Sequence, residues 1–148
     1  VCAQGLMLGG NYDNALRLLS KLHAKNPEND KIANVYWVTA SKCLPKESLT
    51  DLAVGLLQTH SKRETCLSKV ICARIFGFFN NFLRLEEMAR EALALDPHNL
   101  HIMHMLVAAL LNQSKEKEAW AVFKEMYRQD PNDRFTKKTG EFFEKKKA

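Results

Sequence analysis

In the last third of the chain the apolar residues fall three and four positions apart. Leu100, Met103, Leu106, Val107 and Leu110 keep that step through NLHIMHMLVAALLNQ. The polar run NQSKE interrupts it, and Ala119, Val122, Phe123 and Met126 resume it through KEKEAWAVFKEMYRQ. This spacing predicts two amphipathic helices of about 12 to 16 residues joined by a short polar loop. Helices joined so closely lie antiparallel, as a helical hairpin. No comparable stretch alternates with period two, so the expected fold class is all-α.

The hairpin recurs. AKNPEND around Pro27, ALDPHNL around Pro97 and RQDPNDR around Pro131 repeat one punctuation. Proline is disfavoured inside a helix but tolerated at its first turn, and the neighbouring Asp or Asn is suited to cap the next helix. Pro97 and Pro131 stand 34 residues apart, and Pro27 and Pro97 stand 70 apart, close to two such periods. A further copy is therefore predicted near residues 61–63, where QTHSKRE is polar and turn-like but lacks proline. The period divides the chain into units at 1–27, 28–64, 65–99 and 100–132, followed by 133–148.

These residues resemble the tetratricopeptide repeat (TPR) pattern. In the last unit Ala119, Phe123 and Pro131 match, with Val107 and Met126 where smaller residues are usual. The unit before it matches with Ala73, Phe76, Ala92 and Pro97 but carries Leu85 where alanine is expected. The first matches with Ala3, Gly10, Tyr12, Ala15 and Pro27. The second departs furthest: it offers Tyr36, Trp37 and an apolar stretch from Leu49 to Leu57, while Pro45 and Gly55 blur its register. The resemblance implies an α/α superhelix, a solenoid of antiparallel helix pairs, in a scaffold or adaptor that binds a segment of another protein in a concave groove, within a multiprotein complex. A solenoid needs a lid over its last apolar face. Phe135, Phe142 and Phe143, at i, i+7 and i+8 in DRFTKKTGEFFEKK, predict a C-terminal capping helix, which Gly140 weakens by about 1 kcal/mol relative to alanine. The chain opens VCAQGLMLGG, not with Met, and so reads as a piece of a longer repeat protein.

Charge alters this picture less than its total suggests. The chain has 22 Lys and Arg against 17 Asp and Glu, a net charge of +5. Residues 133–148 hold six basic side chains and three acidic ones, or +3, which leaves +2 on the other 132 residues. A groove that tracks phosphates would spread its charge along the repeats. AVFKEMYRQDPND also resembles the second helix of pentatricopeptide repeats, which read single-stranded RNA, and an RNA-binding module of that kind is the alternative function. Only the last unit shows that likeness. No apolar run reaches the length of a membrane span. Cys2, Cys43, Cys66 and Cys72 form no paired motif, which suits a reducing, intracellular compartment, cytoplasmic or nuclear.

Candidate chemistry is sparse. His98, His101 and His104 make an H-x-x-H-x-x-H string, but no Cys, Asp or Glu at useful spacing completes a zinc site, and no metal or cofactor is expected. There is no nucleophile elbow, phosphate-binding glycine loop or metalloprotease motif, so no catalytic residues or small-molecule substrate are assigned. The paired glycines Gly9 and Gly10 fit a turn. Glu86, Glu87, Glu116, Glu118 and Glu125 alternate with basic residues as on solvated helix faces. The TPR resemblance places Gln4, Tyr36, Leu67 and Ile71 where some members hold a chaperone's C-terminal carboxylate, and these side chains form no cationic clamp. The groove residues it implies are Tyr36, Arg74, Phe78, His101, His104 and Asn112.

Overall fold

A computed structural model describes residues 12–147, and side chains of residues 13–144. Ala3, Gln4, Gly9 and Gly10, on which part of the first-unit pattern rests, lie outside the described residues. Among the described residues eight helices of 13 to 15 residues follow one another, and no strand occurs. They are α1 (Tyr12–Lys25), α2 (Asp30–Cys43), α3 (Lys46–His60), α4 (Cys66–Phe78), α5 (Phe82–Leu95), α6 (Leu100–Asn112), α7 (Glu116–Gln129) and α8 (Arg134–Lys147). None is long and apolar enough to cross a membrane.

The punctuation acts as a set of helix starts. Asn29, two residues after Pro27, accepts the Ile32 amide at 3.0 Å, and Asn99, two after Pro97, accepts that of Ile102 at 3.1 Å. Asp133, two after Pro131, accepts the Phe135 amide at 2.8 Å. Each side chain satisfies a donor that the first helical turn would otherwise leave unpaired. Counting back 34 residues from Pro97 gives Arg63, and two residues later Thr65 accepts the Ser68 amide at 3.2 Å. The copy without proline thus keeps its capping residue. Pro45 sits at the N-cap of α3 in extended conformation, and its carbonyl receives the Leu49 amide, so it starts that helix.

The chain divides into two compact units, residues 1–75 and 76–148, with α4 running from one into the other. In the N-terminal unit α1 packs on α2 and α2 on α3. Ala15, Ala33, Ala40 and Ala53 are buried there among Leu19, Trp37, Leu49 and Leu56, and α4 adds Ile71, Cys72 and Ile75. In the C-terminal unit α6 is central, packed on α5, α7 and α8. Its Ile102, Met103, Leu106, Val107 and Leu110 are buried with Met88, Ala89, Ala92, Ala119 and Met126. Small side chains at these contacts let helix axes approach, and the larger ones fill the remaining space. The predicted lid is present: α8 packs on both α6 and α7, with Thr136 and Thr139 buried.

Candidate functional site

The six residues singled out in the sequence occupy different surroundings. Tyr36 on α2 is half-buried and its ring lies 5.5 Å from that of His23. Arg74 on α4 is also half-buried. Its Nε is enclosed without an acceptor, and burial pulls the guanidinium below its ordinary pKa. Phe78, one turn further along α4, is 38% exposed and meets Phe79 edge to face at 5.1 Å. Asn112 is exposed and donates to the Ala108 carbonyl at 2.7 Å.

His101 and His104, expected on an open inward face, are instead engaged by the capping helix. His101 stacks on Phe135 at 4.6 Å, and His104 stacks on Phe142 at 5.2 Å. The Thr139 hydroxyl donates to the Phe135 carbonyl at 2.7 Å, so it receives its bond from the His104 Nδ1–H at 2.8 Å. Burial and the charge of Lys138 both hold His104 below the usual histidine pKa, favouring this neutral form. His98 lies instead beside Gln129, at 3.4 Å. Among the described residues no three His, Cys, Asp or Glu side chains converge as metal ligands would. Cys43, Cys66 and Cys72 are not disulfide-bonded.

Two polar clusters join residues far apart in sequence. In the N-terminal unit Asp30 receives the Ser68 hydroxyl at 2.5 Å, the Thr65 hydroxyl at 2.7 Å and the Arg63 Nε at 3.3 Å. His60 Nδ1 lies 3.0 Å from both Asp30 Oδ1 and Ser68 Oγ. With the Ser68 proton committed to Asp30, Nδ1 carries hydrogen and donates. These are the residue types of a serine nucleophile, base and orienting carboxylate, but the geometry differs: serine and aspartate share one ring nitrogen, and His60 and Ser68 are fully buried. The cluster ties α2, α3 and α4 together. Burial holds His60 below its usual pKa, against the opposing pull of Asp30. Burial alone would raise the Asp30 carboxyl, but the Ser68 and Thr65 hydroxyls and the Arg63 charge bring it below its usual value.

The second cluster corrects an expectation. The sequence pattern places Glu86 on a solvated face, yet it is 9% exposed. It receives Lys115 Nζ at 2.9 Å, Gln113 Nε2 at 2.9 Å and Arg90 Nε at 2.8 Å. These bonds, that from Lys115 foremost, bring its pKa down to about 2 against the cost of burial. Glu86 joins α5 to the turn between α6 and α7. Glu87 and Glu125 do lie at the surface, paired with Arg84 and Arg128 on their own helices.

No family model matches the chain, and no curated protein matches it in sequence. Solved structures match in fold. The chain is similar to TTC0263, described as a thermophilic TPR protein of Thermus thermophilus, with TM-score 0.75 and 17% identity over 94% of this chain and 76% of that one. A crystal structure of MamA aligns with TM-score 0.71 and 15% identity over 97% and 95% of the two chains. A MamA fragment from Desulfovibrio magneticus RS-1 gives 0.69 and 10% over 97% and 88%. At such identities the likeness is one of fold: an all-α, TPR-like solenoid of antiparallel helix pairs closed by a C-terminal helix.

Proposed function

We propose that the chain is a non-catalytic protein-interaction scaffold that holds an extended or helical segment of a partner protein against the faces of its first helices. The observation that carries this reading is Arg74. Its guanidinium is half-buried, its enclosed Nε has no acceptor, and it forms no ion pair among the described residues. Arg63 and Arg90, by contrast, both have carboxylate partners. A partner carboxylate against the accessible part of this half-buried side chain would supply the counter-charge that it lacks. In the N-terminal unit Tyr36 accompanies Arg74 as a candidate contact. In the C-terminal unit Phe78 and Asn112 are open to contact, whereas His101 and His104 are largely taken up by α8. The TPR-like fold supports a binding role in general terms, since such arrays present helix faces to protein segments.

The test is capture of partners by the chain in two versions, unaltered and carrying Arg74→Glu. Circular dichroism establishes that both are equally helical. Proteins retained by the first and lost from the second support the proposed face. Identical sets from both versions place the binding surface elsewhere.

A further inference from the structure

An aromatic pocket lies at a different surface, between α7 and α8. Trp120 on α7 is 43% exposed, and Tyr127, two turns further along, is 59% exposed. Beside them an open cavity of about 210 Å³ is lined by Trp120, Phe123, Gly140, Phe143 and Glu144. Trp120 and Phe143 meet at 81° with centroids 5.1 Å apart, so the two rings form the walls of a corner. Phe123 leans against both, 5.5 Å from Trp120 and 5.3 Å from Phe143. Gly140 lines the same space, and a Cβ there would stand in ordinary contact with the Phe123 ring, at 3.4 Å.

The pocket's chemistry is specific. Ring faces carry negative quadrupole potential and attract cations. Glu144 is the one charged residue in the lining and has no ion-pair or hydrogen-bond partner among the described residues. Lys117 and Lys124, one turn before and after Trp120 on α7, do not line it. A lining of three packed rings and a single carboxylate suits a positive charge. The volume exceeds what a bare ammonium fills, and a bare ammonium is strongly hydrated. A bulkier, weakly hydrated cation both fills the corner and gives up its water readily. We propose that this pocket binds a methylated lysine side chain of a partner protein, with the exposed ledge from Trp120 to Tyr127 receiving the residues beside it.

The experiment titrates the 148-residue chain with a short peptide bearing trimethyllysine, and with the same peptide bearing the neutral tert-butyl carbon isostere. Binding is read from upfield shifts of the methyl protons over the rings and from Trp120 fluorescence in a Trp37→Phe background. The cationic peptide is expected to bind about fivefold more tightly than its neutral isostere, the range for an exposed cation–ring contact. Glu144→Gln should weaken it about threefold. Trp120→Ala should abolish it, as should Gly140→Leu, which places a side chain in the pocket. Equal binding of the neutral isostere would overturn the proposal, as would unchanged binding to a Trp120→Ala variant of native helicity. Tighter binding of free choline than of the peptide would also overturn it, since the pocket would then serve a small molecule or lipid headgroup.

Discussion

Glu86 shows how much one side chain can be asked to do. Three donors converge on its carboxylate, one from its own helix and two from the turn after α6, and removing that acceptor leaves Lys115 to solvent and Gln113 to the Phe82 and Ala109 carbonyls. Glu86→Ala is expected to cost about 1–2 kcal/mol in denaturant unfolding, the range for losing charge-assisted hydrogen bonds whose cationic partners remain solvated. The sign of its pH dependence follows from a folded pKa of about 2 against an ordinary value of 4.5. The carboxylate's contribution is complete above pH 4.5, declines as pH falls toward 2, and should be missing from the acid limb of the variant. His60 acts one step earlier in pH. Its folded pKa lies below 6.5, so the native state favours the neutral ring, and stability present above pH 6.5 is lost as pH falls through the folded value. His23 and His104 are shifted in the same direction and add to this trend. Thermal midpoints measured from about pH 7.5 to 5 should therefore fall, with a shallower slope in His60→Gln, which keeps a donor near Asp30 without titrating.

At the scale of the helix, turns carry the local strain. Asn80 and Ser114 have positive φ, 60° and 62°, and close α4 and α6. The Asn81 amide reaches back to the Phe76 carbonyl at 2.8 Å, and the Lys115 amide to that of Leu110 at 2.9 Å, the six-to-one bond of a left-handed helix end. Asparagine tolerates this conformation better than serine does. Ser114→Gly should thus stabilise the chain by about 0.5–1 kcal/mol, seen as a higher denaturation midpoint at unchanged slope, and Asn80→Gly should gain less. This level was the most legible in sequence. The three proline punctuations marked their helix starts, and the 34-residue count located a fourth that has no proline. Thr65 rather than Pro identifies that fourth start, because the cap bond depends on a side-chain oxygen and not on the ring. The polar clusters were not legible for a different reason. Asp30 and Ser68 are 38 positions apart, and Glu86 and Lys115 are 29 apart. Helical periodicity says which face a residue occupies, but only packing decides which distant face it meets. The same limit governed His101 and His104, whose helix position was anticipated while their cover by α8 was not.

Across the whole molecule, charge decides which large partners are attracted. Before residue 133 several basic side chains are answered locally, as in Arg63 with Asp30, Arg84 with Glu87, Arg90 and Lys115 with Glu86, and Arg128 with Glu125. The excess is concentrated in residues 133–148, at +3 of the total +5. A polyanion should therefore meet chiefly the C-terminal end. Single-stranded RNA is expected to bind weakly and without sequence preference, with a log–log salt slope no steeper than about −2, the figure for three lysines releasing counterions from a single strand. Replacing Lys145, Lys146 and Lys147 with Gln lowers the net charge from +5 to +2 and keeps good helix formers in place, so that binding should vanish at moderate salt. Filter binding across a salt series checks this. If the triple variant still retained RNA, selected one sequence over another and resisted salt, the bases would be read by the helix pairs themselves, through stacking and hydrogen bonds that the charge distribution does not supply.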